Sequence, residues 1–383
     1  MLSVNTDDEY KTPGQLLTAL LADRGWTQRI LAIVLGQDET GINKIVADKR
    51  PISAELALSL EEVFSVPAER FLALQQQFEL AKARLVVRPD PNRATRAHLF
   101  GGLPVSDMIK RGWLDVQDVR DVAKVERELM RFFNASSIAE IEILPHAAKK
   151  TNVSADATAP QLAWLHRVKQ IAGEMLVAPF SEFGAKRAVG LLRELTLSPE
   201  SVRKVPRILA EAGICFVIVE SLPTAKIDGV CFWLDNTHPV IGISMRHDRI
   251  DNFWFVLRHE LEHVIRGHGK SLIVIDYELE GERAGSGPDV GEDERVANAA
   301  AAEFCVPAKT MDSFIARKAP FFAERDILGV AATLKVHPGL VAGQLQHRTG
   351  RYDRFRNHLV KVRGIVAPNA IVDGWGNVAP VGI

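Results

Sequence analysis

Between residues 12 and 85 apolar positions recur every three to four residues, interrupted at Gly25, Gly36 and Pro51. That period predicts five helices, at 15–24, 28–35, 39–46, 54–64 and 68–85. The second and third are joined by a short turn opened by Gly36, the spacing of a helix-turn-helix. Ile30, Leu31, Val34 and Leu35 are expected to supply core from the second helix, and Ile42 and Ile45 from the third. Phe71, Leu74, Phe78, Ala81 and Leu85 form a stripe along the fifth helix, read as core with part of it left for a dimer seam. Pro89 and Pro91, set among charges, end the pattern and predict a linker over 86–103. Helical periodicity resumes at 105–111, 116–133, 159–176 and 184–195. The whole 104–200 region is expected to connect domains or frame a substrate.

Near residue 213 the period shortens. Runs at 213–219, 229–234 and 239–244 are rich in Val, Ile, Phe and Cys and predict three short strands, the last two joined by the turn 235–238. An apolar helix follows, bracketed by Asp251 as a plausible N-cap and Gly267. A Gly-rich acidic stretch, 278–292, separates it from a helix at 292–304. Two further helices are expected at 325–334 and 340–347. The segment 366–383, rich in Gly and Pro, reads as a flexible tail.

The apolar helix carries the chemistry. His259, Glu260 and His263 stand in an H-E-x-x-H spacing. Residues four apart on a helix lie one turn above another, so the two histidines can offer nitrogens to one metal ion, with Glu260 able to reach a water on it. A catalytic zinc takes three protein ligands and keeps one position open. Glu294, 31 residues after His263 (294 − 263), is the candidate third ligand, and Asn298 one turn on could hydrogen-bond a ligating histidine. Spacing alone leaves the choice open, because Glu292, Asp293 and Glu294 equally suit a helix N-terminus as plain acids. For the oxyanion of a peptide-bond reaction the candidate donors are His238, His247 and Tyr277.

H-E-L-E-H at 259–263, followed by Glu294, Ala297, Asn298, Ala301, Ala302 and Pro307 in an E-x-x-A-N-x-x-A-A-x-x-x-x-P spacing, resembles the ImmA/IrrE family of zinc metallopeptidases. The resemblance implies His259, His263 and Glu294 as zinc ligands and Glu260 as general base. Glu262, Ala300 and Phe304-Cys305 stand where the family has Gly, Phe and a Leu pair. None is a ligand, but Glu262 brings a second carboxylate beside the centre. At the other end, Gly25-Trp26-Thr27-Gln28, Leu35-Gly36, Lys49-Arg50-Pro51-Ile52-Ser53 and Phe71-Leu72-Ala73-Leu74-Gln75 resemble the HigA-type antitoxins, a branch of the Xre-like helix-turn-helix repressors. On that reading Thr40, Gly41, Asn43 and Lys44 face the major groove, while Gln28, Lys49 and Arg50 hold phosphates. Against it, a small helical bundle could bind protein instead, and Asp38 and Glu39 would bring negative charge near phosphates.

The predicted architecture is therefore multidomain and mainly α, with a small zincin-like α+β core. A helix-turn-helix domain at 1–85 precedes the linker at 86–103 and a helical connecting region at 104–200. A metallopeptidase core follows at 201–320, made of a three-stranded sheet and the motif helix, then a C-terminal helical subdomain at 321–365 and the tail.

Composition narrows the partners. With 47 Lys and Arg against 48 Asp and Glu, the net charge of −1 gives no global pull toward nucleic acid, so basic surface must be local. One such local run is Arg348 to Arg363, with Tyr352 and Phe355 interleaved. No apolar run is long enough to span a bilayer, and the acidic, polar start lacks a signal peptide's apolar stretch. Three cysteines without C-x-x-C spacing fit a reducing cytoplasm. The expectation is a homodimeric, cytoplasmic DNA-binding regulator with one zinc per chain. It would bind a double-stranded operator and cleave a repressor- or antitoxin-type protein, itself or a partner, in a stress, phage-defence or toxin-antitoxin response. The alternative is a HigA-like antitoxin or repressor whose zinc domain senses or binds a partner without turnover.

Overall fold

The computed structural model of the protein describes residues 10–88, 90, 93–142, 157–270, 273–277 and 291–373. The chain divides into two compact units, Met1–Asn92 and Arg93–Ile383.

The first unit is built from α1 (Pro13–Asp23), α2 (Gln28–Leu35), α3 (Glu39–Val46), α4 (Ala54–Phe64) and α5 (Ala68–Val86). Short polar side chains start four of them: Thr12, Thr27, Asp38 and Ser53 each accept from a backbone N–H in the first turn. Leu16, Leu17, Leu31, Ile42, Ile45, Leu60, Phe71 and Leu74 close the core. Two core expectations fail. Ile30 and Val34 are 38% and 48% exposed, because a two-turn α2 buries only the Leu31–Ala32 edge and turns the face holding residues 30, 33 and 34 outward. The α5 stripe is core at Phe71 and Leu74, while Leu85, at the end left for a dimer seam, stands 89% exposed.

The second unit is layered. Five strands, β1 (Cys215–Val219), β2 (Ile227–Trp233), β3 (Pro239–Ile243), β4 (Val274–Tyr277) and β5 (Ile371–Asp373), form one sheet in the order β4-β2-β3-β1-β5. β1 runs parallel to β3 and β5, and β2 antiparallel to β3 and β4. Both faces are covered, so β1 reads as a continuous apolar run without alternation. On one face Phe216, Ile218, Cys231, Ile241 and Ile243 meet the motif helix, Ile250–Arg266, through Phe253, Trp254, Leu257 and Leu261. On the other, Val217, Val219, Val230, Phe232 and Val240 meet Leu162, Leu165 and Val168 of the helix Ala159–Gly173.

The sheet has five strands rather than the expected three. β4 follows the motif helix and is four residues long. β5 lies inside the segment read as a flexible tail, where Asp373 O accepts from Glu220 N (2.9 Å) and its carboxylate pairs with Arg167. Arg93–Gly102, read as the end of a linker, is a helix that begins two residues beyond Pro91, where proline no longer restricts the backbone. The helix expected at 116–133 begins at Val122, held back by Asp121, whose side chain caps Lys124 N at 3.1 Å. The acidic loop 278–290 lies outside the described residues. Among the described residues no helix is long and apolar enough to cross a membrane.

Candidate metal centre

The motif helix starts at Ile250, nine residues before His259 (259 − 250). Arg249, extended, precedes it, and Asp251 sits in its first turn paired with Arg249 (3.1 Å) rather than acting as the N-cap. Gly267 closes it. Its apolar stripe, Phe253, Trp254, Leu257, Leu261 and Val264, is buried in the core. That burial rotates His259, Glu260 and His263 inward as well, each 0% exposed.

A second helix, Glu292–Cys305, lies against the motif helix through Ala297 and Ala301, at most 1% exposed, whose small side chains permit a close approach. It brings Glu294 over the histidines. His259 Nε2 and His263 Nε2 are 3.1 Å apart, and each lies 3.4 Å from a Glu294 carboxylate oxygen. A tetrahedral ion with bonds of about 2.0–2.2 Å separates its donors by about 3.3–3.6 Å. The three side chains thus form a grouping that could hold a metal ion. Two imidazoles and one carboxylate are a donor set that catalytic zinc sites use, with a water or substrate as the fourth ligand.

Glu260 lies on the sheet side of the pair. Its carboxyl group reaches β2 at Gly229, where a Cβ would stand 2.8 Å from Glu260 Cδ and 3.0 Å from Cγ. Only a residue without a side chain leaves that carboxylate its place. Glu262 does not join the centre. Its two oxygens accept from Arg258 Nη2 at 2.8 Å and Arg266 Nε at 2.7 Å. Burial raises its pKa, and the two arginines outweigh burial, leaving it below the usual glutamate value. The extra carboxylate is therefore neutralised by cations on its own helix face.

The nitrogen of His263 that faces away from Glu294 meets another histidine: His263 Nδ1 and His268 Nδ1 are 2.9 Å apart. His268 Nε2 in turn lies 3.4 Å from Asp293 Oδ1. Asn298, expected in this supporting role, is half-buried and makes no side-chain hydrogen bond among the described residues. Gly229, His268 and Asp293 were not singled out from sequence. A histidine between two glycines just past the helix end was the available signal for His268.

Of the oxyanion candidates, His238 stands on the exposed β2–β3 turn, bound to Asp235 at 2.8 Å and nine residues along the chain from Gly229 (238 − 229). His247 precedes the motif helix, and its backbone oxygen accepts from Arg249 N at 2.9 Å. The side chain of Tyr277 lies outside the described residues. In the first unit Thr40, Asn43, Lys44, Lys49 and Arg50 are exposed and Gln28 is half-buried. Gly41, read on the same open face, is buried: a Cβ there would meet Asp38 Oδ2 at 2.7 Å and Arg50 Nη1 at 2.9 Å. The basic run near the C-terminus is partly neutralised, with Arg348 on Asp312 and Arg351 on Asp353.

Two histidines and one glutamate thus meet on paired helices that pack against a mixed sheet, within an α+β domain. Residues 210–348 match the family model of the IrrE N-terminal-like domain, a zinc-dependent family. The matched span begins within the helix Val205–Glu211, ends within Pro338–Thr349 and contains all three donors. No curated protein and no solved structure matches the chain.

Proposed function

We propose that the chain is a zinc-dependent metalloendopeptidase joined to a DNA-binding head, cleaving a repressor- or antitoxin-type protein, itself or a partner, to change transcription. The convergence of His259, His263 and Glu294 within hydrogen-bond range, with Glu260 buried beside them, carries the reading. Zinc held there would polarise a scissile carbonyl and acidify a water. Glu260 takes the proton from that water as its oxygen adds to the carbonyl carbon, and returns it to the amine nitrogen as the C–N bond breaks. His259 and His263 supply neutral nitrogens, and Glu294 supplies the one negative charge among the ligands. Among the described residues β4 pairs with β2 on one side only, and its outer side offers backbone groups to an extended substrate strand.

The head is read as operator-binding because Thr40, Asn43 and Lys44 are exposed on α3, with Lys49 and Arg50 exposed after it. Exposed Leu80, Leu85 and Val86 on α5 support a dimer seam. A cytoplasmic setting is supported by three buried cysteines that form no disulfide among the described residues. Burial pushes the Cys215 thiol up to about 11 and the Cys305 thiol up to about 12, so neither forms thiolate readily.

Glu260→Gln tests the proposal, since it removes the proton acceptor and leaves the ligands. Metal analysis of wild-type and variant protein purified without chelator is expected to give one zinc per chain in both. Under an inducing stress the wild type is expected to yield fragments of itself or its partner and to derepress a reporter, with neither in the variant. Equal fragments from both proteins, or a wild type that takes up no zinc, would sink the enzyme reading.

A further inference from the structure

We propose that His268 is a positioning residue for the centre, fixing the tautomer and orientation of His263. The inference rests on the reading of His259, His263 and Glu294 as metal ligands. A histidine that gives its Nε2 lone pair to an ion carries its proton on Nδ1. His263 Nδ1–H then has to donate, and the atom it faces at 2.9 Å is His268 Nδ1. That atom has to accept, so the His268 proton resides on Nε2. His268 Nε2 faces the Asp293 carboxylate at 3.4 Å. Every proton along the chain Asp293, His268, His263 is thereby assigned by one requirement at the centre.

The segment that carries His268 is built to hold it still. Its N–H donates to His263 O (2.9 Å), and its own carbonyl accepts from Trp233 Nε1 (2.8 Å). Gly269, at φ +82°, lets the backbone lie directly on β2, where a Cβ would meet Cys231 O at 2.8 Å. Lys270 then covers the Trp233 ring, its Nζ 4.2 Å from the centroid. The turn after the motif helix is thus clamped to the sheet at the one point where its side chain touches His263. Asp293 immediately precedes Glu294, so the chain also ties the second ligand helix to the first. Partners of this kind on metal-bound histidines typically change affinity 10- to 100-fold.

The test compares zinc affinity by chelator competition in the full-length wild type, His268→Ala and His268→Asn. Asparagine Oδ1 takes roughly the place of histidine Nδ1 and can accept from His263, but cannot reach Asp293. His268→Ala is expected to bind zinc about 10- to 100-fold more weakly, with the metal-free melting temperature unchanged. His268→Asn is expected to recover most of the loss. In ¹⁵N-labelled, zinc-loaded wild type, His263 is expected to show a hydrogen-bonded Nδ1–H that exchanges slowly, lost in His268→Ala. Wild-type affinity in His268→Ala, or equal weakness in the Ala and Asn variants, overturns the positioning role. A wild type that binds no zinc overturns the reading of the centre and this role with it.

Discussion

Gly229→Ala probes the placement of Glu260, the proposed general base, without touching a proposed ligand. The added Cβ stands 2.8 Å from Glu260 Cδ, whereas ordinary contact begins at 3.4 Å and relaxes by 4.0 Å. Glu260 Oε1 lies closer still to that Cβ than Cδ does, so the carboxyl group has to retreat by more than 0.6 Å (3.4 − 2.8). The strand cannot yield instead, because Gly229 is paired with Ile243 of β3 on one side and Asp276 of β4 on the other. A misplacement of about 1 Å at a reacting group costs on the order of 10²-fold in rate. Overpacking of a filled interior costs about 1–3 kcal/mol of stability. Gly229→Ala should thus keep zinc stoichiometry, melt a few degrees lower, and produce fragments about a hundredfold more slowly than wild type. The assay follows intact chain and partner over time at matched expression, with zinc content and melting temperature measured on the same preparation. Wild-type cleavage with the Cβ present would show that Glu260 does not act from beside β2, whatever the metal does.

Two further outcomes follow from other parts of the chain. Burial against Phe133 pushes His166 down to about 4, with the charge of Lys169 acting in the same direction. A folded-state pKa below the unfolded value of 6.5 means the unfolded chain binds the extra proton. Stability is therefore complete above pH 6.5 and falls by up to about 3 kcal/mol as pH drops toward 4. Denaturant titrations of wild type and His166→Phe at pH 7.5 and 5 should show this slope only in the wild type, and parallel slopes would refute it. On DNA, Asn43→Ala or Lys44→Ala should cost about 1–3 kcal/mol and relax one operator position, while Lys49→Ala weakens all sequences alike. A salt titration on the chain's own promoter region separates the two, and no salt-sensitive binding at all would make the head a protein-binding module.

The grouping was legible in part because His259 and His263 obey a local rule: four residues on a helix is about one turn, whatever the fold. Glu294 depends on how two helices pack, and sequence spacing left it level with a plain N-terminal acid until a family resemblance favoured it. His268 and Asp293 were not legible, since their contact joins a turn to a helix start 25 residues later (293 − 268). Asn298 was chosen by helical angle alone, and it makes no side-chain hydrogen bond among the described residues. The strands with continuous apolar runs were found, while β4 and β5, four and three residues long, carry too few side chains to declare a period. Ile30 and Val34 fitted a core stripe by spacing and are exposed because α2 buries only its neighbouring edge.

The parallel pairing of β5 with β1 also sets an order of events during synthesis. Every donor of the centre has left the ribosome once Glu294 emerges, yet the outer edge of β1 is covered only when Ile371–Asp373 arrive. Until then β1 presents unpaired backbone groups on a fully apolar strand, a template for another chain. Arg167 waits equally long for Asp373. Closing this edge is therefore the last pairing in chain order among the described strands, and a product clipped ahead of Ile371 would keep His259, His263 and Glu294 while offering β1 to whatever extended segment came first.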